Sequence, residues 1–198
     1  MPPTHNQSSL HMAMKKLVLD RAFLRRWEPE YDDEPEEGGK YGDYLSAVRF
    51  DVRTHGTIAK STFRDIAKWK SSWLLIEIEW DHFERYARAI RRARSVIPGE
   101  RLSLLVKLRG IRAPFGSTIL HFLYPDSFPI IDVRTMGVLH RAGLLPTKSA
   151  SVEIYPEFRR QLLRIKRENP GWTLKAIDRA LFAYHKRYSK VWRHTSCR

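Results

Sequence analysis

The spacing of apolar residues along the chain predicts an all-α protein. In residues 81–97 apolar side chains recur every three or four positions and arginines fill the other faces, as in an amphipathic helix lying on a core. Similar spacing predicts seven to nine helices in all, the others near residues 17–27, 44–52, 61–69, 102–110, 114–123, 156–167 and 173–190 and around Met136 and Leu139. Strand-like alternation is not sustained, and only the apolar run 73–78 fits either a helix or a strand.

Prolines and capping residues predict where these helices begin and end. Pro29 ends the first helix, and a Pro-Gly pair ends the arginine-rich one. Thr62 with Asp65 has the spacing of a capping box, and so does Asp81 with Glu84. We therefore expect helices to start at these two places.

The charge of the chain is large and unevenly placed. Its 198 residues include 36 Lys or Arg and 22 Asp or Glu, a formal net charge of +14. Seven acidic residues lie in residues 28–37, so we expect residues 1–40 to form an arm, a short helix and an acidic loop, ahead of a helical domain at 41–198. Nine Lys or Arg and only two Glu lie between Glu84 and Arg112. This excess predicts a polyanionic partner, and we expect double-stranded DNA.

Cysteine, histidine and apolar content exclude several classes of protein. A single cysteine, Cys197, excludes an intramolecular disulfide, a zinc ribbon and a four-cysteine iron–sulfur cluster. The eight histidines show no metal-binding spacing, so we expect no metal and no cofactor. No apolar run reaches the length of a membrane span, and the first residues lack the apolar core of a secretory signal. We expect a cytoplasmic monomer.

Residues 108–134 are the most informative stretch. They predict a helix, a tight turn at Gly110, a second helix opened by Pro114, a proline-bracketed loop and then Asp132. Such a hairpin, spanning residues 102–123, presents main-chain N–H groups and a helix dipole to a phosphate. The candidate DNA contacts are Lys107, Arg109, Gly110, Arg112, Ala113, Phe115, Gly116 and Ser117 in the hairpin and Arg134 after Asp132.

This stretch resembles the helix-hairpin-helix DNA glycosylases, the superfamily of endonuclease III, adenine glycosylase and oxoguanine glycosylase. Their hairpin typically reads Leu-Pro-Gly-Val-Gly, and its leucine precedes the catalytic aspartate by 24 residues, as Leu108 precedes Asp132 here. The other matching residues are Gly110, Ile111 and the Pro-Ile-Ile-Asp of 129–132. Residues 172–184 also resemble the closing helix of small bacterial members, and the whole resemblance covers residues 60–190 in outline. It implies two helical lobes around a central cleft.

Two departures from the family pattern bear on the chemistry. Arg112 replaces the second glycine of the hairpin, which is expected to reshape the phosphate seat. Pro114 stands where bifunctional members have a Schiff-base lysine, so the resemblance implies a monofunctional glycosylase without amine-linked strand cleavage. The family's C-terminal cluster-binding loop is also missing, as a single cysteine requires.

The resemblance implies a reaction that suits a fixed carboxylate. Breaking an N-glycosidic bond develops positive charge on the sugar, which Asp132 would stabilise while it orients or deprotonates water. The base must first leave the duplex for a pocket, and we expect Trp69, Trp73 and Tyr124 to form its walls. The product is an abasic site, formed in DNA repair or in defence against phage with modified DNA.

Simpler interpretations exist for most of these residues. Asp132 fits a helix N-cap, Gly110 a helix C-cap, the tryptophans a core and the arginine run a solvated face. The acidic loop fits a solvated segment or a DNA mimic that shields the cleft. We expect Asp178 to pair with a neighbouring arginine, and His121 and His140 to be ordinary helix residues. Alternatives for the whole chain are a non-catalytic helix-hairpin-helix nucleic-acid-binding protein and an RNA-binding helical protein.

Overall fold

A computed structural model describes residues 17–31 and 41–195, with side chains as far as residue 188. The described residues form ten α-helices, three short 3₁₀ helices and no strand, which confirms the all-α prediction. The α-helices are α1 (Arg21–Trp27), α2 (Tyr41–His55), α3 (Lys60–Lys70), α4 (Leu74–Glu77), α5 (Phe83–Ser95), α6 (Arg101–Leu105), α7 (Ala113–Leu123), α8 (Val133–Arg141), α9 (Tyr155–Glu168) and α10 (Leu174–Thr195). The 3₁₀ helices are Glu28–Glu30, Trp80–His82 and Pro98–Glu100. The predicted N-terminal arm and most of the acidic loop lie outside the described residues.

The two predicted capping boxes do not open their helices. Helix α3 already begins at Lys60, so Thr62 lies inside the helix and is buried. The N-cap of α3 is Ala59, whose N–H donates to the Asp51 carboxylate on α2 at 2.9 Å. Helix α5 follows a 3₁₀ turn and begins at Phe83 with no side-chain hydrogen bond at its N-cap. At α3 a bond from the neighbouring helix α2 therefore holds the N-cap residue, which sequence spacing alone does not reveal.

The apolar run 73–78 is helical where it has regular structure. Leu74–Glu77 forms the single turn of α4, with Leu74 buried and Ile76 exposed. The N–H of Ile78 closes this turn on the carbonyl of Leu74 at 3.2 Å. The strand alternative is therefore wrong for this run.

The helices pack in two groups that share a hydrophobic core. Helix α10 packs on α1, α8 and α9, whereas α7 packs on α2, α3 and α6, and α5 packs on α6. Leu24 and Ile177 from the first group and Phe63 and Ile119 from the second belong to one contiguous cluster of buried side chains. Removal of these side chains from water is the main stabilising term of the fold. Among the described residues, no helix combines the length and apolarity that a bilayer span requires.

Candidate active site and nucleic-acid interface

The turn between α6 and α7 is the predicted hairpin, and it requires glycine at position 110. Gly110 has a φ of +76°, and the N–H of Ile111 closes the turn on the carbonyl of Leu108 at 3.1 Å. A Cβ on Gly110 would lie 3.0 Å from the main-chain carbonyl carbon of Glu77. Both the backbone angle and the close approach of α4 therefore exclude a side chain here.

Tyr86 of α5 fastens the hairpin to the rest of the protein. Its hydroxyl donates to the carbonyl of Arg109 at 2.8 Å and accepts the N–H of Glu79 at 3.1 Å. Burial raises the pKa of Tyr86, so the hydroxyl keeps its proton for this bond. The Glu79 carboxylate lies 3.9 Å from the guanidinium groups of both Arg85 and Arg109. The first turn of α5 and the hairpin therefore form one continuous surface.

The hairpin exposes its charges and buries the start of its second helix. Lys107, Arg109 and Arg112 are exposed to solvent. Four of the predicted DNA-contacting residues are instead buried, namely Ala113, Phe115, Gly116 and Ser117. DNA contact by these residues would have to use main-chain N–H groups in the first turn of α7. The N–H of Gly116 is already bonded to the carbonyl of Arg112 at 2.8 Å.

An arginine-rich face of α5 continues this basic surface. Its exposed arginines are Arg85, Arg88, Arg91, Arg92 and Arg94. Acidic neighbours compensate little of this charge, because the ion pairs of Arg85 with Glu79 and of Arg91 with Glu84 are both 3.9 Å long. Long ion pairs between exposed groups contribute little to stability, so these arginines remain available to another anion.

Ser117 connects the segment before Asp132 to the hairpin. Its hydroxyl donates to the carbonyl of Pro114 at 2.9 Å and accepts the N–H of Ile131 at 3.0 Å. Ser117 is the fifth residue of α7, about 6 Å along the helix axis from Ala113, the first. The residue before Asp132 is therefore bonded to the second helix of the hairpin, one turn after that helix begins.

Further side chains hold the loop that leads to Asp132. The Nδ1–H of His121 donates to the carbonyl of Phe128 at 2.8 Å, and the hydroxyl of Tyr155 donates to the carbonyl of Pro129 at 2.9 Å. Burial lowers the pKa of His121 to about 4, which keeps its ring neutral at neutral pH. The loop is therefore positioned by buried hydrogen bonds from α7 and α9.

Asp132 is the N-cap of α8 and takes part in a capping box. Its Oδ1 accepts the N–H groups of Arg134 at 2.8 Å and Thr135 at 2.9 Å, and its own N–H donates to the Thr135 hydroxyl at 3.3 Å. The predicted N-cap role is thus confirmed. No described residue donates a hydrogen bond to Oδ2, so this oxygen is available to water or to a substrate.

Helix α10 brings a second carboxyl group, Asp178, to Asp132. Burial raises the pKa of Asp178 to about 6; the charge of Lys175 opposes this rise, and the charge of Asp132 adds to it. Among the described residues Asp178 pairs with no arginine, so the predicted pairing is not found. The adjacent Arg179 pairs with Glu28 at 3.7 Å. Asp178 is therefore a half-buried acid beside another acid.

Aromatic rings surround Lys175, one turn before Asp178 on α10. The Nζ of Lys175 lies 4.7 Å from the ring centre of Tyr41, 5.4 Å from that of Trp69 and 5.8 Å from that of Tyr31. Asp178 also contributes to the pKa of Tyr41, which burial raises to about 12. Trp69, predicted for the base pocket, therefore lies in the same group as Asp178.

The other two predicted pocket residues have different partners. Trp73 is 43% exposed and lies under the guanidinium of Arg112, at 5.6 Å from the ring centre, so it belongs to the surface of the hairpin. Tyr124 packs on Phe128 with ring centres 5.5 Å apart, and Arg101 covers it at 4.3 Å. The structure thus groups only Trp69 with Lys175, and the role of all three in a pocket stays a prediction.

Arg134, the predicted phosphate contact after Asp132, is exposed and lies 4.5 Å from the ring centre of Phe182 on α10. His185 lies one turn further along α10. Burial and the charge of Arg134 lower its pKa, and the charge of Asp132 opposes this change. The start of α8 and this face of α10 therefore form one polar surface.

Sequence reasoning missed most of the residues that α10 contributes. Lys175, Asp178, Phe182 and His185 recur at intervals of three and four residues, beside the buried face of the same helix. This spacing indicates that the four side chains share one face of the helix. It does not reveal that the face meets Asp132.

Cavities and metal ligands complete the description of the site. Two surface cavities of about 450 and 750 Å³ lie elsewhere, the first beside Trp80 and the second beside Trp27, and Asp132 lines neither. A base-sized cavity beside Asp132 stays a prediction. In the part of the chain that the structure describes, no group of three His, Cys, Asp or Glu side chains is placed to hold a metal ion.

Comparisons with known proteins do not assign the chain to a family. No protein-family model, no curated protein and no solved structure matches it significantly. The resemblance of residues 108–134 to the helix-hairpin-helix glycosylases therefore stays a prediction. The geometry of the hairpin, Asp132 and α10 is what bears on function.

Proposed function

We propose that the chain is a monofunctional DNA glycosylase of the helix-hairpin-helix type. It would turn a damaged or modified base out of the duplex, hydrolyse its N-glycosidic bond and leave an abasic site. The observation that carries this proposal is the hydrogen bond from Ile131 to Ser117, at 3.0 Å, which holds the segment before Asp132 on the second helix of a basic, glycine-bent hairpin. An enzyme that cleaves a sugar–base bond needs an element that binds the DNA phosphates and an acid held close to that element.

In this proposal the two packed groups of helices are two lobes, and DNA lies across the cleft between them. Lys107, Arg109 and Arg112 contact phosphates through their exposed side chains, and the first turn of α7 contacts them through main-chain N–H groups. The exposed arginines of α5 add further phosphate contacts. Most of the affinity is then independent of sequence, as backbone recognition requires.

Asp132 supplies the chemistry. Its Oδ1 is held by the capping bonds to α8, which fix the carboxylate, and its Oδ2 faces the reacting sugar. A fixed negative charge stabilises the cationic sugar as the bond to the base breaks, and the same carboxylate takes a proton from the attacking water. Trp69 and Tyr41 supply flat rings against which the extruded base stacks.

The deciding experiment compares base release by the unaltered chain, Asp132→Asn and Asp132→Ala. Each protein is incubated with duplexes containing uracil, hypoxanthine, 8-oxoguanine, methylated purines or glucosylated hydroxymethylcytosine, and abasic sites are cleaved with alkali. Asparagine caps helices as well as aspartate does, so Asp132→Asn keeps the fold and the DNA affinity but loses release. Release at the unaltered rate by Asp132→Asn refutes the catalytic role. Release from duplexes with damaged bases would indicate a role in repair, and release from duplexes with phage-type modified bases would indicate a role in defence.

Borohydride trapping tests the monofunctional mechanism. Pro114 offers no amine, but Lys175 lies close to Asp178 and Tyr41. We expect no covalent protein–DNA adduct on treatment with borohydride during turnover, because water is the nucleophile. An adduct that disappears in Lys175→Met would replace the hydrolytic mechanism with an amine-linked one.

The second candidate is a non-catalytic nucleic-acid-binding protein, and the capping box of Asp132 favours it. Three hydrogen bonds from Arg134 and Thr135 converge on Oδ1, which is what a purely structural aspartate would show. This candidate predicts salt-dependent binding to duplex DNA without release from any duplex. Preference for single-stranded RNA in the same binding assay would favour an RNA-binding protein instead.

A further inference from the structure

Asp178 is a second carboxyl group at the proposed site of base release. It lies on α10, which packs closely on α8, the helix that Asp132 opens. The carboxyl is half-buried, and it forms no hydrogen bond or ion pair with another described residue. The guanidinium of Arg134, two residues after Asp132, lies 4.5 Å from the ring centre of Phe182, one turn after Asp178, so this face of α10 lies at the start of α8.

Titratable groups on four helices influence the pKa of Asp178 or of a group near it. Those that affect it or its immediate neighbours are Lys175, Arg179 and His185 on α10, Asp132 and Arg134 at α8, Lys70 on α3 and Tyr41 on α2. Arg179 is itself paired with Glu28. Burial outweighs the nearby lysines and raises the pKa of Asp178 to about 6. The group thus changes charge near neutral pH, as an effective proton donor must.

We propose that Asp178 is the general acid that protonates the departing base, and that Asp132 is its ionised partner. This inference rests on the proposed glycosylase function. The bond between the sugar C1′ and the base nitrogen breaks, and its electron pair goes to the base. The Asp178 carboxyl gives its proton to the base, water adds to C1′, and the proton of that water goes to the Asp132 carboxylate. One water is consumed, and solvent returns the two carboxyl groups to their starting states.

The surroundings of the two acids explain the division of roles. Asp132 accepts hydrogen bonds from the N-terminal N–H groups of α8, an arrangement that suits a carboxylate. Asp178 has no such donors, and its burial favours the neutral carboxyl over the carboxylate. Tyr41 and Trp69 lie around Lys175, one turn away, so a stacked base would lie within reach of Asp178. Two carboxyl groups in contrasting environments are the pattern of paired acid–base catalysis.

The test is the pH dependence of single-turnover base release for Asp178→Asn, Asp178→Glu and the control Asp65→Asn. Asp65 is an exposed aspartate of α3, and it is not among the groups that shift the pKa of Asp178, so its replacement removes a carboxylate other than the one under test. All are assayed between pH 5 and 8 on whichever duplex of the panel the unaltered chain cleaves. We expect the unaltered rate to fall as the pH rises above about 6. Asp178→Asn should be slower by about 100-fold or more at pH 5.5, with a flat profile. Asp178→Glu should retain a pH-dependent limb at a shifted midpoint, and Asp65→Asn should match the unaltered chain.

The outcomes separate this inference from the function on which it rests. No release by the unaltered chain from any duplex overturns the proposed function and this role together. If the unaltered chain releases the base and Asp178→Asn does so at the same rate, this role alone is overturned. It is also overturned if Asp178→Asn is slower but its rate changes with pH in the same way. Circular dichroism establishes whether Asp178→Asn is folded. If it is not, the Asp178→Glu profile decides, and an unmoved midpoint overturns the role.

Discussion

The hydroxyl of Tyr41 lies 2.8 Å from Nε2 of His121 and joins the start of α2 to the buried face of α7. A carbonyl only accepts hydrogen bonds, so the contact of Nδ1 with Phe128 places the ring proton on Nδ1. Because burial also keeps the ring neutral, Nε2 has no proton and Tyr41 is the donor. These two hydrogen bonds position Tyr41, one of the rings around Lys175, and the loop that leads to Asp132.

Replacing Tyr41 with phenylalanine should destabilise the protein by about 1–2 kcal/mol, because it leaves the buried Nε2 of His121 without a donor. Urea unfolding at pH 7 measures this change in the free energy of unfolding. Tyr188→Phe is the matched control, since its side chain is 37% exposed, and it should change stability by less than about 0.5 kcal/mol. Equal effects of the two variants would show that the Tyr41–His121 bond contributes nothing.

Titration of His121 should make the protein less stable in mild acid. Its folded pKa of about 4 lies below the ordinary histidine value of 6.5, so the unfolded chain binds the proton first as the pH falls. Its contribution is therefore complete above about pH 6.5 and is lost towards pH 4, by about 3 kcal/mol. Histidine NMR measures the midpoint directly. A His121 midpoint near 6.5 would contradict the buried, neutral ring.

Asp178→Asn should make the protein more stable at pH 7.5. The folded pKa of about 6 lies above the ordinary aspartate value of 3.8, so ionisation of Asp178 opposes folding above pH 6, and this penalty disappears as the pH falls towards 4. Asparagine avoids the charge, and the gain should be about 1–3 kcal/mol at pH 7.5 and close to zero at pH 4. Asp65→Asn, the control, should show no pH-dependent gain in the same thermal unfolding series. A loss of stability in Asp178→Asn at pH 7.5 would refute a penalised carboxylate.

Gly110→Ala should destabilise the hairpin more than Gly143→Ala, although both glycines have a positive φ, of 76° and 71°. Each alanine incurs about 1–2 kcal/mol for the left-handed backbone. Only at Gly110 does the new Cβ also meet main-chain atoms, those of Glu77 at 3.0 and 3.1 Å; at Gly143 nothing lies within 4 Å. We expect Gly110→Ala to lose roughly 1 kcal/mol more in urea unfolding and to bind duplex DNA more weakly. Equal losses of stability in Gly110→Ala and Gly143→Ala would show that the close approach of α4 does not penalise a side chain at position 110.

Lys107→Ala should reduce the salt dependence of DNA binding. Loss of one phosphate contact lowers the slope of log affinity against log salt by about 0.9. Arg26→Ala is the control, because this arginine lies on α1 and is paired with Glu30 at 3.1 Å, and its slope should equal that of the unaltered chain. Fluorescence anisotropy with a labelled duplex between 50 and 300 mM salt gives both slopes. If Lys107→Ala leaves the slope unchanged, the hairpin does not contact DNA.

Local patterns in the sequence determined much of this protein. Apolar spacing predicted the helices, because one buried face imposes the same period wherever a helix lies on a core. Gly110 and the N-cap role of Asp132 were also predictable, since a tight turn and a helix start are decided by a few neighbouring residues.

Tertiary structure alone decided the arrangement around Asp132. It bonded the N-cap residue of α3 to Asp51, placed Trp69 but not Tyr124 with Lys175, and packed the helix of Asp178 on α8, which Asp132 opens. Each of these depends on contacts between helices, whose relative placement no local period encodes. Burial then raised the pKa of Asp178, which no spacing within the sequence could have shown.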